Sequence, residues 1–268
     1  MGRLQAETNG GLVTHAVLRT RDGVPISAVH VPGDRDLGIV IAHGFTGSWR
    51  QSRVQRVARE LRRVGGVVVS DFRGHGRSGG ACTMGLDEIE DVSAAVSWAW
   101  DLGYARVVTV GFSMGACIVV RQAALRADVA PVQAVVAISG PAFWYYRGTP
   151  IMRRVHRLVE SRSGRHAMRS RGVRISHEGW PDPPPLSPAA AAGQITQTPF
   201  LVVHGTVDRY FPVEHAMALH RSAVLGGNRS ADLWIVPGFG HAERAVPDEV
   251  LAEVGEWLRK ATGLAMSG

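Results

Sequence analysis

The chain has 268 residues, of which 45% are apolar and 20% charged, as in globular proteins with a sizeable buried core. No segment approaches the run of about 18–20 apolar residues that spans a membrane, and the first ten residues lack the apolar stretch of a secretory signal, so we expect a cytoplasmic protein without a transmembrane segment. The net charge is +7, but no nucleic-acid recognition motif accompanies it, so we expect no nucleic-acid partner.

The first predicted element is a β-hairpin over residues 12–31, where two alternating runs flank an Asp-Gly turn. Short apolar strands and amphipathic helices then alternate as far as residue 140. The predicted strands are 38–43, 67–72, 105–112 and 132–139, and the predicted helices are 54–65, 86–103 and 114–127. Apolar strands that alternate with helices indicate a mostly parallel sheet covered on both faces.

An insertion interrupts this alternation over residues 141–198. It starts with aromatic residues, continues with arginines and ends in a Pro/Ala-rich stretch. The alternation then resumes with predicted strands at 199–205 and 232–238 and predicted helices at 213–226 and 248–262. We therefore expect a core formed by residues 1–140 and 199–268, with residues 141–198 as a separate insertion.

Two serines lie in the pattern G-x-S-x-G. Ser113 follows a predicted strand and precedes a predicted helix, a sharp turn that exposes a hydroxyl beside free backbone N–H groups. Ser78 lies in RGHGRSGGACT, a predicted loop without a helix directly behind it. The context favours Ser113 as a nucleophile, although a serine can also serve as a plain helix N-cap at such a position.

A serine nucleophile requires a base and an acid that orients the base. Functional groups of parallel α/β sheets collect in loops after the carboxyl ends of strands. Downstream of Ser113, two such loops carry titratable groups, GTVDRYFP with Asp208 and GFGHAER with His241. Asp71, in the loop that begins DFRG, is a weaker candidate for the acid because it precedes the nucleophile.

At this point the chain resembles the α/β-hydrolase family over about residues 12–140 and 199–265. The segments that carry the resemblance are HGFTGS at 43–48, DFRGHGRSGG at 71–80, GFSMG at 111–115, HGTVDRYFP at 204–212 and GFGHAE at 238–243. The resemblance implies an α/β-hydrolase fold, a mostly parallel sheet with helices on both faces, and a short cap or lid at 141–198.

The resemblance also implies a role for each matching residue. Ser113 would be the nucleophile, His241 the general base and then acid, and Asp208 the group that orients His241. The backbone N–H groups of Phe45 and Met114 would form the oxyanion hole. A serine at this position implies an acyl-enzyme rather than the alkyl ester formed on an aspartate, and the chemistry requires no metal or organic cofactor.

Other polar residues in these motifs have structural interpretations. His43 and His75 match loop motifs of the family and are expected to be architectural, and His204 is expected to be a buried polar residue. Cys82 and Cys117 are expected to be free thiols, and no Cys/His cluster has zinc-site spacing.

The insertion carries most of the net charge, with nine arginines and three acids. In IMRRVHRLVE an apolar face of Ile151, Val155, Leu158 and Val159 lies opposite three arginines. That pattern favours a solvated surface for the arginines of the insertion. The alternative is that the insertion contacts an anionic group, such as coenzyme A, a carrier protein or a lipid surface. The aromatic run of Phe143, Trp144, Tyr145 and Tyr146 suits an apolar substrate pocket, but packing of the cap on the core explains it equally well.

The sequence therefore favours a serine hydrolase that acts on small carboxylic esters. A thioesterase with an anionic acyl carrier is the main alternative, and the same triad also supports cleavage of C–C bonds. A catalytically inactive small-molecule binding protein on this fold is a third possibility, because fold does not determine function.

Overall fold

Nine strands form one mixed sheet in this computed structural model, which describes residues 4–8 and 11–265. In chain order they are β1 (Leu4–Thr8), β2 (Gly11–Arg19), β3 (Pro25–Val31), β4 (Gly38–Ala42), β5 (Gly66–Ser70), β6 (Val107–Phe112), β7 (Val135–Ile138), β8 (Phe200–Gly205) and β9 (Ala231–Val236). Their order across the sheet is β1-β2-β3-β5-β4-β6-β7-β8-β9. The first three strands and the β3–β5 pair are antiparallel, and every pair from β5 to β9 is parallel.

The helices of the described chain connect or cover these strands. They are α1 (Ser52–Leu61), α2 (Glu88–Asp101), α3 (Met114–Leu125), α4 (Pro150–Glu160), α5 (Arg162–Arg169), α6 (Pro188–Ala192), α7 (Glu214–Leu225), α8 (Ala242–Ala245) and α9 (Asp248–Ala261). The mostly parallel sheet and its flanking helices confirm the predicted fold class. Strand β1 was not predicted, and β2 and β3 form the predicted hairpin.

Alternate residues of the central strands supply two separate core layers. In β4, Val40 belongs to the layer that includes α2, α3 and α7, whereas Ile39 and Ile41 belong to the layer that includes α1 and α9. The side chains of a strand point alternately to opposite faces, so strands that are apolar at every position must be covered on both sides. The two helical layers bury the sheet and leave its carboxyl edge available for loops.

The insertion between β7 and β8 divides into two parts. Helices α4 and α5 contribute to a small separate cluster formed by Val159, Met168, Val173 and Ile175. The short helix α6 packs against α3 and α7, and three of its alanines, Ala189, Ala191 and Ala192, belong to the first core layer. The stretch assigned to the insertion from its sequence therefore includes a piece that packs within the main core.

Cys82 and Cys117 are both buried free thiols. Among the described residues, no group of three or more His, Cys, Asp or Glu side chains is arranged to hold a metal ion. Within the same residues, no helix combines the length and apolarity needed to cross a bilayer.

Candidate active site

Ser113 occupies a sharp turn between β6 and α3. Its φ of 52° and ψ of −115° lie in a region that residues other than glycine rarely adopt, and the residue directly precedes the first turn of α3. Its N–H donates to the carbonyl of Ile138 at 2.9 Å. The turn places the Ser113 hydroxyl at the carboxyl edge of the sheet and beside the N-terminus of a helix.

The glycines on either side of Ser113 are required by close packing of the backbone. A Cβ atom on Gly111 would lie 2.4 Å from the carbonyl oxygen of Gly115, and one on Gly115 would lie 2.1 Å from that of Ala42. No side chain fits at either distance. The G-x-S-x-G pattern therefore has a steric origin at this turn.

A chain of hydrogen bonds connects Ser113, His241 and Asp208. His241 Nε2 lies 2.9 Å from Ser113 Oγ, and His241 Nδ1 lies 2.7 Å from Asp208 Oδ2. A carboxylate accepts only, so Nδ1 of a neutral imidazole carries the proton and Nε2 accepts the serine O–H. The arrangement can withdraw a proton from Ser113 during attack on a carbonyl.

Asp208 and His241 are held by the loop that follows β8. The side chain of Asp208 is 1% exposed, and its Oδ1 accepts the N–H groups of Tyr210 at 2.7 Å and Phe211 at 3.2 Å. The ring of Tyr210 stacks on that of His241, with centroids 4.0 Å apart and planes 17° from parallel. His204 lies behind Asp208 and is fully buried, as expected, with Nε2 donating to the carbonyl of Phe211.

The alternative candidates lie elsewhere and make structural contacts. Ser78 is 2% exposed, where its hydroxyl donates to the carbonyl of Asp71 and accepts the N–H of Ser27. Asp71 is buried and accepts the N–H of Trp49 at 2.9 Å. Neither residue lines the cavity above Ser113.

Phe45 and Met114 line the same cavity, and their backbone N–H groups have no hydrogen-bond acceptor within the described chain. The loop that carries Phe45 is held by His43, which is fully buried. His43 Nε2 accepts the N–H of Phe72 at 3.1 Å, so Nδ1 carries the proton and donates to the carbonyl of Gly44 at 2.8 Å. Burial lowers the pKa of His43 to about 4, which keeps it neutral near pH 7. His75 is likewise pinned to backbone groups in these loops.

The cavity above Ser113 has a volume of about 710 Å³ and a mainly apolar lining. All four residues of the aromatic run, Phe143, Trp144, Tyr145 and Tyr146, contribute to its wall. Trp144 donates its indole N–H to the carbonyls of Pro185 and Leu186, so its ring is fixed across the insertion. The aromatic run both lines the cavity and packs the insertion on the core.

Helix α4 turns its apolar face toward the cavity. Ile151, Val155, Leu158 and Val159 all line it, whereas Arg153, Arg154 and Arg157 are exposed and do not. A second cavity of about 600 Å³ lies next to the first and shares wall residues with it, including Met84 and Trp180.

Four charged residues of the cavity wall were not singled out from the sequence. Arg53, Arg209 and Arg244 come from the core rather than from the insertion, and Glu243 lies two residues after His241. Arg209 and Arg244 directly follow Asp208 and Glu243 in the chain. For Arg209 and Arg244, this position next to a motif residue is the signal that could have pointed to the cavity wall.

A family model described as serine aminopeptidase, S33 (Hydrolase_4) matches residues 34–178, more than half of the chain. The chain belongs to this family of α/β hydrolases. The matched residues include the Ser113 turn and the first part of the insertion. A comparison with curated proteins gave no match.

Solved structures with the same fold include several esterases. The esterase Pf2001 from Pyrococcus furiosus is 23% identical, with a TM-score of 0.72 and coverage of 92% of this chain and 90% of that one. Est1E from Butyrivibrio proteoclasticus, solved with ferulic acid bound, is 20% identical, with a TM-score of 0.63 and coverage of 92% and 100%. XC6422 from Xanthomonas campestris, a serine hydrolase without a lid, is 19% identical, with a TM-score of 0.60 and coverage of 96% and 97%. At these identities the likeness establishes the fold.

Proposed function

We propose that this hydrolase cleaves small carboxylic esters through an acyl-enzyme on Ser113. The observation that carries the proposal is the hydrogen-bonded series of Ser113, His241 and Asp208 at the wall of an apolar cavity. A hydroxyl, an imidazole and a buried carboxylate in this order form the arrangement that activates a serine for attack on a carbonyl. The esterases among the similar structures are consistent with this chemistry.

The reaction has two steps, acylation of Ser113 and hydrolysis of the acyl-enzyme, and His241 transfers a proton in each. Ser113 Oγ attacks the ester carbonyl carbon while its proton passes to His241 Nε2, and the N–H groups of Phe45 and Met114 stabilise the oxyanion. His241 then protonates the alcohol oxygen, the alcohol departs, and the acyl group stays bound to Ser113 Oγ. A water molecule then loses a proton to His241 and attacks the acyl carbon. As the bond between that carbon and Ser113 Oγ breaks, His241 returns the proton to Oγ, which releases the acid and restores the serine hydroxyl.

The lining of the cavity suggests the substrate class. Aromatic and aliphatic side chains from the insertion and the core favour an apolar acyl or aryl group, and the volume is in the range of small-molecule sites. Residues of α4 and α5 form one wall, so the insertion would act as a cap that selects substrates.

A fluorophosphonate probe tests the nucleophile by intact mass. Wild type and Ser78→Ala should each gain one adduct, whereas Ser113→Ala should gain none, because only Ser113 is paired with His241. Hydrolysis of p-nitrophenyl esters should be lost with Ser113→Ala alone. Folded wild-type protein that takes no adduct would contradict the proposal and favour a binding protein.

A second candidate is a thioesterase that uses the same residues. The observation that favours it is the charge on the cavity wall, where three arginines are accompanied by one buried carboxyl. Guanidinium groups bind phosphate and carboxylate, so they suit a leaving group such as coenzyme A. Turnover of an acyl-CoA compared with the p-nitrophenyl ester of the same acyl group distinguishes the two.

A further inference from the structure

Glu243 is a buried carboxyl in the wall of the cavity. It lies in α8, is 5% exposed, and forms no ion pair within the described residues. Burial raises the pKa of its carboxyl, against the smaller opposing effects of the Gly44 N–H group and the charges of Arg53 and His241. An acid in this environment is costly unless its contacts compensate for the loss of water.

The contact that Glu243 makes reaches across the site. The N–H of Gly44 donates to Glu243 Oε1 at 2.5 Å, between residues 199 positions apart in the chain. A Cβ atom built on Gly44 would lie 3.2 Å from both Glu243 Oε2 and the Cβ of Ser113. Gly44 is therefore enclosed between the Glu243 carboxyl and the turn that carries Ser113.

Both peptide units of Gly44 are held by hydrogen bonds. Glu243 holds the N–H of one unit, and the Nδ1–H of His43 and the N–H of Gly47 hold the carbonyl of the next at 2.8 and 2.9 Å. A peptide unit is planar and trans, so the direction of the Gly44 carbonyl sets the opposite direction of the Phe45 N–H. The aim of that N–H depends on how Gly44 is held.

We propose that Glu243 is a positioning residue that ties the His241 loop to the loop of the oxyanion hole. Its acceptor oxygen orients Gly44, and through Gly44 it aims the Phe45 N–H at the oxyanion that forms on the substrate. This role of Glu243 rests on the proposed ester hydrolysis, because the oxyanion that the Phe45 N–H would stabilise forms in that reaction. A hydrogen-bond donor misplaced by about 1 Å can lower the rate about a hundredfold. Loss of the single hydrogen bond between Gly44 and Glu243 can therefore lower kcat measurably.

The test compares Glu243→Gln with Glu243→Leu. Glutamine retains an acceptor oxygen for Gly44, whereas leucine fills a similar volume without one. We expect Glu243→Leu to lower kcat on a p-nitrophenyl ester about 10–100-fold with KM changed less than about threefold, as removal of a contact to the transition state does. Glu243→Gln should stay within about threefold of wild type in both constants.

A boronic acid that forms a tetrahedral adduct with Ser113 supplies a second measurement. Its inhibition constant should rise with Glu243→Leu by about the factor lost in kcat, and Glu243→Gln should bind it like wild type. If the leucine variant does not fold, Glu243→Ala takes its place with the same expectations.

Two results would overturn the role of Glu243. One is an unchanged kcat in the folded leucine or alanine variant, and the other is an equal loss in the glutamine variant, which would assign the effect to charge. Failure of ester hydrolysis itself would look different. In that case wild type would lack turnover and fluorophosphonate labelling, whereas failure of the positioning role leaves both intact.

Discussion

At the scale of single residues, two backbone N–H groups and one imidazole hold the carboxylate of Asp208. Asp208 uses Oδ2 for His241 and Oδ1 for two backbone N–H groups, so each of its oxygens faces a donor. Fixed N–H dipoles stabilise a buried carboxylate without the entropy cost of ordering a long cationic side chain. The carboxylate and the imidazole are thus already aligned before a substrate binds.

We expect Asp208→Asn to lower kcat about 10³–10⁴-fold with little change in KM. Either orientation of the asparagine amide places its NH₂ group against an N–H donor, so the new side chain cannot both satisfy the loop and hold the Nδ1–H tautomer of His241. Steady-state kinetics on a p-nitrophenyl ester measures the loss. Asp101→Asn, at an exposed position in α2, is the control and should match wild type. A loss of less than tenfold at Asp208 would argue against its role.

At the scale of elements, the insertion and the core contribute different chemistry to the cavity. Helix α4 presents apolar side chains to the cavity and arginines to the solvent. The cationic side chains of the cavity wall come instead from α1, from the loop after β8 and from α8. An anionic group bound in the cavity would therefore meet Arg53, Arg209 and Arg244 of the core, whereas the sequence hypothesis placed such a contact on the arginines of the insertion.

Substitution of arginines at the cavity wall and on α4 tests which of the two sets contacts an anionic substrate. Arg209→Gln with Arg244→Gln should raise KM for an acyl-CoA about tenfold and leave KM for the matching neutral ester within about threefold, because only the first substrate carries phosphates. Arg154→Gln with Arg157→Gln is the matched pair on α4 and should change neither constant. Equal effects of both pairs on both substrates would contradict a specific anionic contact at the cavity.

At the scale of the whole molecule, the regular elements were predictable and the contacts between loops were not. Continuous apolar runs identify strands such as β4 and β6, because these strands are buried on both faces. The hydrogen bond between Gly44 and Glu243 joins segments 199 residues apart. Both residues lie in recognisable motifs, but the sequence gives no sign that the two are in contact. The turn at Ser113 is an intermediate case, since its glycines reflect steric contacts that recur in the fold. The roles assigned to Ser113, Asp208 and His241 remain predictions, although the structure places the three side chains in contact.

Buried histidines make the stability of the whole fold sensitive to acid. Burial lowers the pKa of His30, His43, His75 and His215 to about 4. The unfolded chain binds protons at these residues from about pH 6.5 downward, whereas the native state does not until about pH 4, so the free energy of unfolding must fall as the pH drops through this window. We expect the free energy of unfolding to fall by about 1–3 kcal/mol per histidine between pH 7.5 and 4.5. Urea denaturation curves recorded across this range measure the loss.

Two variants check the origin of this acid sensitivity. His30→Gln should flatten the dependence of the urea midpoint on pH, because it removes a buried titrating group. His177→Gln, at an exposed position, should leave the dependence unchanged. A urea midpoint that stays constant between pH 7 and 5 in wild type would contradict the expected role of the buried histidines.

The long separations within the site also govern when the protein can become reactive during its synthesis. The Ser113 turn leaves the ribosome with its strand and helix, but the imidazole that contacts the serine is added 128 residues later, and Glu243 lies 199 residues after Gly44. Through most of translation the nascent chain therefore carries a serine without a base. In the proposed mechanism the serine gains its base only after β9 has joined the edge of the sheet, so a partly synthesised chain would not hydrolyse esters.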